Sequence, residues 1–318
     1  MITREAAIWG YRLILGREPE DQAVIDDAMT AADLEAYRQR LFSSAEFAQN
    51  NLGVGLPSRW VAAPIMGGRR LIWILLSDRF VSRGCLFDDY EPAETRFVRS
   101  FLREGDTFVD AGANVGWFTM LASTIVGSAG HIHAFEPRLQ TGEYLKRTVA
   151  LNGLQGLISV YDFGLSDAEG DAILAWSSNT DNPGGSHLAT NTQLAGMDYQ
   201  QVRLRPLDSL GLAGADFIKA DVEGAELRVF KGARGTIERS RPVVLSELSP
   251  EMLQRVSGAS ADEFFEFFRT LGYRAFAIDL QRYGEELQGF PPDWPKPLIN
   301  VGLVPRERPL DPLQTDPG

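Results

Sequence analysis

A chain of 318 residues with 44% hydrophobic and 23% charged positions can bury the core of one large α/β domain plus a smaller appendage, and its composition excludes wholesale disorder. The formal net charge of −12 disfavours nonspecific attraction to nucleic-acid phosphates or anionic lipid, which need basic faces, so a neutral small-molecule partner fits better. Cys85 is the single cysteine, which rules out an intrachain disulfide and a cysteine metal cluster; it reads as a small, half-buried hairpin residue.

The start of the chain, Met1-Ile2-Thr3-Arg4-Glu5, is charged and lacks the apolar stretch of a secretion signal. Residues 3 to about 50 repeat apolar positions with a helical period: Ile8, Trp9, Leu13 and Ile14, then Val24, Ile25 and Met29, then Leu34, Tyr37, Leu41 and Phe42. Gly16-Arg17-Glu18-Pro19 interrupts the first helix, and Ser43-Ser44 is placed to cap a last short turn before Glu46-Phe47. A small helical bundle is expected, with a boundary near residue 55 in the connector Asn50-Asn51-Leu52-Gly53-Val54-Gly55-Leu56-Pro57, so that 1–55 forms one module and 56–318 the main domain.

From there to about residue 90, aromatic and β-branched positions around Gly67-Gly68 and around Gly84 predict hairpins, and 91–103 predicts an amphipathic helix. The longest apolar run, Leu71-Ile72-Trp73-Ile74-Leu75-Leu76, is far too short to span a bilayer, and a cytoplasmic protein is expected. The most informative stretch follows: Thr107-Phe108-Val109-Asp110-Ala111-Gly112-Ala113-Asn114-Val115-Gly116-Trp117-Phe118, an apolar strand that ends in an acid, turns on glycines and begins a helix. Such a turn lets backbone amides approach a ligand at the carboxyl edge of a sheet. A second strand, Gly130-His131-Ile132-His133-Ala134-Phe135-Glu136-Pro137, ends in Glu136, where an acid can hold the ribose hydroxyls of a nucleoside.

Further strands are predicted at 158–163, 216–220, 243–247, 274–278 and 300–304, with helices around Leu121, 144–151 and 225–237. The alternation implies an open, doubly wound, mostly parallel seven-stranded α/β sheet with a small N-terminal helical domain. Between Leu165 and Leu207 the alternation lapses into polar, turn-rich sequence, including Asn179-Thr180-Asp181-Asn182-Pro183-Gly184-Gly185-Ser186-His187, an insertion placed to shape a substrate site.

Five linked elements together resemble the FkbM-type family of S-adenosylmethionine-dependent methyltransferases from about residue 80 to 305: Val109 to Gly116, Ala134-Phe135-Glu136-Pro137, Leu165-Ser166-Asp167, Leu207-Asp208-Ser209-Leu210 and Phe217-Ile218-Lys219-Ala220-Asp221-Val222-Glu223-Gly224-Ala225-Glu226. The segment Tyr11-Arg12-Leu13-Ile14-Leu15-Gly16-Arg17-Glu18-Pro19 resembles a second bacterial module of unknown function found with glycosyltransferases and surface-polysaccharide enzymes. The first resemblance implies a Rossmann-like fold, S-adenosylmethionine as cofactor and O-methylation of a sugar or polyketide-type hydroxyl. The second tilts the choice toward a sugar of a glycan, surface polysaccharide or glycosylated precursor.

On this reading Asp110 and the turn Gly112, Ala113, Asn114 and Gly116 face the methionine part of the cofactor. Glu136 binds the ribose, Asp162 and Phe163 flank adenine, and Trp117, Phe118, Pro137 and Asp221 also border the cofactor. A sugar hydroxyl is a poor acid, so a positioned carboxylate or imidazole must assist its deprotonation; Asp221, Glu223, Glu247 and His187 are the candidates, the first two favoured. His131 and His133 precede the ligand edge and receive no role. The three carboxylates could instead hold magnesium against two substrate hydroxyls, and the sequence leaves that choice open. A nicotinamide oxidoreductase is disfavoured because the turn is Gly-x-x-x-Gly rather than Gly-x-Gly-x-x-Gly. A docking protein of a polysaccharide-assembly complex is the remaining alternative; the N-terminal helices could recruit a partner, and homo-oligomer formation stays open.

Overall fold

The computed structural model describes residues 2–15, 17–42, 44, 58–78, 80–177, 185–190, 194–278 and 286–310. At the N-terminus, Thr3 caps α1 (Arg4–Gly10) by accepting from the Ala6 amide, and Asp21 caps α2 (Gln22–Met29) through the Val24 amide. A π-helical turn at Tyr11–Leu15 prolongs α1, and α3 (Leu34–Phe42) closes the group over a core that includes Ala7, Leu15, Ile25, Tyr37 and Leu41. The connector expected at 50–57, the boundary at 55 and the turn at Glu46-Phe47 lie outside the described residues.

Next, β1 (Trp60–Ile65) and β2 (Arg70–Leu75) form the hairpin expected at Gly67-Gly68. No second hairpin forms at Gly84. The Asp78 carboxylate accepts from the Phe80 and Ser82 amides at 2.9 and 2.7 Å and starts α4 (Val81–Leu86), in which Cys85 is wholly buried rather than half-buried. Proline occupies the first turn of α5 (Pro92–Phe101), and β3 (Thr107–Ala111), α6 (Trp117–Ser123), β4 (His131–Phe135), α7 (Leu139–Leu151) and β5 (Ile158–Tyr161) follow.

The insertion is not a loop. Its described residues make β6 (Gly164–Leu165), β7 (Gly170–Ser177), β8 (His187–Ala189) and β9 (Met197–Arg205), a separate four-stranded sheet in the order β6-β9-β7-β8. Leu174, Val202 and Leu204 bury one face of it, a period-two signal diluted by the polar residues between them. The polar run 178–184 lies outside the described residues.

After β10 (Phe217–Ala220), the helix expected over 225–237 is broken into α8 (Glu226–Gly232) and α9 (Arg234–Ser240). The cause is Asp208, whose carboxylate accepts from the Gly235 and Thr236 amides at 2.7 and 2.8 Å and so begins a new helix. Then come β11 (Val243–Leu248), α10 (Pro250–Ser257), α11 (Ala261–Thr270), β12 (Tyr273–Ala277), β13 (Glu286–Leu287) and β14 (Ile299–Pro305). The main sheet has the order β13-β12-β14-β11-β10-β3-β4-β5, with β11, β10, β3, β4 and β5 parallel and β14 antiparallel to both neighbours. The seven expected strands are present, and two-residue β13 adds an eighth at the edge.

Two apolar layers sandwich this sheet, one gathered around Phe97, Phe108 and Phe118, the other around Phe230, Phe264 and Phe268. Chain order reverses between β3 and β10, and that reversal opens a crevice at the carboxyl edge. No helix among the described residues is long and apolar enough to cross a membrane.

Candidate active site at the switch point

The turn after β3 closes by backbone conformations that side chains resist. Gly112 (φ 76°) and Gly116 (φ 102°) are left-handed, and a Cβ on Gly112 would lie 1.9 Å from the Asp221 carbonyl oxygen. Only glycine lets the turns after β3 and β10 touch. The amides behave differently from the expected cradle, because every one from Gly112 to Gly116 already has a protein partner. Gly112 and Ala113 donate to the Phe135 carbonyl, Asn114 to Glu136 Oε2 at 2.9 Å, Val115 to its neighbour Asn114 Oδ1, and Gly116 to the Ala113 carbonyl. The glycines thus supply closeness, and side chains and carbonyls are left to meet a ligand.

Above this contact lies a cleft of about 200 Å³. Gly112, Asn114, Glu136 and Pro137 border it on one side, and Glu91, Asp221, Glu223 and Glu247 bring carboxylates to it. Leu165, Leu174, Leu188 and Leu204 from the inserted sheet form an apolar wall. Three of its non-glycine residues, Glu91, Asn114 and Glu223, have left-handed backbones (φ 45°, 51° and 52°), strain of the kind that tertiary structure maintains where function requires it.

Asp221, Glu223 and Glu247 each present a carboxylate oxygen within 4.8 Å of the others. Burial, then repulsion from Asp221, pushes Glu223 up to about 8 and Glu247 up to about 9. Glu91 rises to about 8 for the same two reasons. Opposing them is Lys219, buried, whose Nζ donates to Asp221 Oδ2 at 3.2 Å and to the Gly112 carbonyl at 3.3 Å and stands 4.0 Å from Asp110 Oδ1. Burial alone would depress the lysine, but Asp221, Asp110 and Glu91 hold it above the ordinary lysine range. Glu136, driven up to about 7 by burial, gives its second oxygen to the Arg138 amide at 2.9 Å. Glu226 Oε1 accepts from the Val222 and Gly224 amides, shaping the turn that carries Glu223.

Of the residues expected from sequence, Gly112, Asn114, Glu136, Pro137, Asp221, Glu223 and Glu247 come together around the cleft. Asp110 lies beneath it, fully buried, with Oδ2 accepting from the Thr119 hydroxyl at 2.6 Å. Ala113, Trp117 and Phe118 are core residues behind the turn, and Gly116 makes room for Leu145. Asp162 instead faces Arg203 at 3.7 Å, and Phe163 packs on Phe135 and Tyr161, neither being among the described cleft residues. His187 also turns away. On β8 its neighbours Ser186 and Leu188 line the cleft, while its buried ring lies 3.4 Å from the Arg255 guanidinium, and burial followed by that charge lowers its basicity. His131 and His133 bond Ser159 and Tyr161 across to β5.

Three contributors escaped the sequence reading: Glu91, the adjacent half-buried Tyr90, and Lys219. A period-two signal was available for Lys219, which shares a strand face with Asp221 two residues on. Glu91 reaches the cleft only through tertiary packing of α5.

Residues 110–275 match the methyltransferase FkbM domain. Methyltransferase sdnD of Sordaria araneosa is 28% identical over 194 residues, covering 51% of this chain and 74% of sdnD. Among solved structures, a methyltransferase FkbM from Methylobacillus flagellatus KT aligns with TM-score 0.44 and 16% identity, covering 93% of this chain and 58% of that one, so this chain spans under two thirds of that relative's length. A SAM-dependent O-methyltransferase from Thermotoga maritima aligns with TM-score 0.38 and 11% identity over 80% of each chain. With the domain match spanning more than half of its length, the chain belongs to the FkbM methyltransferase family.

Proposed function

We propose that this protein is an S-adenosylmethionine-dependent O-methyltransferase whose acceptor is a sugar hydroxyl of a glycan, surface polysaccharide or glycosylated precursor. The observation that carries the reading is the excess of carboxylates at the switch-point cleft: Glu91, Asp221, Glu223 and Glu247 gather there around Lys219. Such a site is suited to a cationic ligand, and the donor has a sulfonium and an ammonium group. When bound, S-adenosylmethionine supplies the electrophilic methyl carbon.

The remaining work belongs to the chain. Glu136 stands at the end of β4, where its carboxylate can receive ribose hydroxyls, and Asn114 and Gly112 border the path toward the acid cluster. Leu174, Leu188 and Leu204 exclude water from one side. The acceptor proton passes to a carboxylate oxygen of Glu223 or Glu247, whose raised basicity makes either a stronger base than an ordinary carboxylate. Lys219 Nζ, donating to Asp221 Oδ2, holds that carboxylate in place beside them. His187, facing Arg255, has no part in this arrangement.

Two second readings have their own support. The leucine wall would also suit a polyketide-type hydroxyl, and the close approach of three carboxylates suits magnesium holding two acceptor hydroxyls. The deciding assay incubates the protein with methyl-labelled S-adenosylmethionine and panels of sugars, polyketide-type alcohols and amines. Label in a sugar ether supports the proposal, and label only in amines overturns O-methylation. Loss of turnover with chelator and its return with magnesium would favour the metal reading; chelator-insensitive turnover removes it.

A further inference from the structure

A second hollow of about 190 Å³ opens at the same sheet edge, and no role has been assigned to it above. Pro92 and Glu94 on α5, Asn300 at the start of β14, and Trp294 and Lys296 in the segment before it are among its walls. Because β14 runs antiparallel to β11, its first residues lie beside the last residues of β11, and Glu247 is paired in register with Asn300. Directly opposed residues of antiparallel strands project from the same face with Cβ atoms about 5 Å apart. Glu247 lines the cleft and Asn300 the hollow; likewise Glu91 lines the cleft and its successors Pro92 and Glu94 the hollow. The two cavities are therefore neighbours, separated by these residue pairs.

The hollow's chemistry is specific. Asn300 Nδ2 donates to Glu94 Oε1 at 2.5 Å, which sets a buried carboxylate and an amide side by side in the wall. Planar polar groups of this kind hydrogen-bond to vicinal hydroxyls. Half-buried Trp294 is fixed by its own Nε1 bond to the Leu298 carbonyl at 2.9 Å and supplies an aromatic surface of the type on which the C–H face of a pyranose packs. Lys296, exposed at the rim, adds hydroxyl-binding donors. Glu94 and the acid cluster next door disfavour an anionic ligand.

We propose that this hollow is a second saccharide subsite, which holds the neutral sugar adjacent to the one whose hydroxyl is methylated, so that the acceptor is a glycan of two or more units. The inference rests on the sugar-hydroxyl reading above and extends it from a monosaccharide to a chain. The probes are methyl glycosides of glucose, mannose and rhamnose beside their di- and trisaccharides, assayed for kcat/KM with the full chain and labelled S-adenosylmethionine. Wild-type protein should prefer a disaccharide over its monosaccharide by about tenfold or more, equivalent to about 1.4 kcal/mol. Trp294→Ala should bring that preference close to one, and Lys296→Ala, an exposed change that leaves the core intact, should reduce it about threefold. Melting temperature and calorimetric titration of the cofactor verify that each variant is folded. Equal use of mono- and disaccharides by the wild type, or an undiminished preference in both variants, overturns the subsite while leaving sugar methylation standing. Methylation of polyketide-type alcohols with every sugar refused overturns the sugar reading itself, and the subsite falls with it.

Discussion

Replacing Lys219 by methionine tests whether one buried cation holds the switch point together. Lys219 is 5% exposed and its ammonium joins Asp221, the Gly112 carbonyl and, at 4.0 Å, the fully buried Asp110. Methionine preserves length and apolar packing, including the approach to the Phe118 ring, so the change isolates the charge. Breaking a buried ion pair by deleting one partner costs about 3–5 kcal/mol, because the other charge stays buried without compensation. In a domain of this size that corresponds to a fall in melting temperature on the order of 10 °C. The sign with pH follows from the partners. Lys219 is raised above the ordinary lysine range, so its stabilising contribution is present throughout pH 5 to 9 and fades only in strong alkali. Without it, Asp110, whose carboxyl burial already pushes up, can escape its uncompensated charge by taking up a proton, so the loss should be large at pH 8 and smaller at pH 5. Calorimetric melts of both proteins at the two pH values measure this. A loss below about 1 kcal/mol at pH 8, or an equal loss at both, would refute the reasoning.

Glu247→Gln and Glu223→Gln should separate the base from its neighbour: the variant lacking the base loses about 10²- to 10⁴-fold in kcat, and the other loses less. Wild-type kcat/KM should climb with pH toward about 8 to 9 as the base loses its proton, and removing Glu223 should move the Glu247 limb to lower pH by relieving like-charge repulsion. His187→Ala should leave kcat within about twofold, since its ring faces Arg255; a loss of a hundredfold would restore it as a base. Gly112→Ala should destabilise the fold by roughly 2–4 kcal/mol and weaken cofactor binding in a calorimetric titration, since its methyl group would collide with the Asp221 carbonyl. The ligand-free protein should lose stability as pH rises from about 5 to 9, because folded Glu91, Glu223 and Glu247 retain protons that the unfolded chain releases near 4.5; Glu247→Gln should flatten that slope in pH-dependent urea titrations.

Local patterns carried much of this architecture. Apolar runs such as Phe108-Val109 and Phe217-Ile218 make sense only as strands covered on both faces, and the polar ends of those runs announced which edge would face a ligand. Glycines 112 and 116 were visible as a special turn, although their purpose, close packing of Gly112 against Asp221 and of Gly116 against Leu145 rather than free amides for a ligand, depends on residues distant along the chain. Where a distant side chain interferes, local reading fails. Asp208 split a helix that periodicity joins, Asp78 turned an expected hairpin into α4, and the leucines of the inserted sheet were too thinly spaced among polar residues to announce strands.

Residue types at strand ends, and hence an acid-rich carboxyl edge on a doubly wound sheet, were determined by the chain alone, because strand period and turn chemistry act over a few residues. Which acids share a space, that His187 faces Arg255, that Glu91 joins from α5, and that a tryptophan-bordered hollow lies beside Glu247 were decided by tertiary packing. Charges change their basicity through neighbours in space and through lost water, and neither is encoded by proximity along the chain.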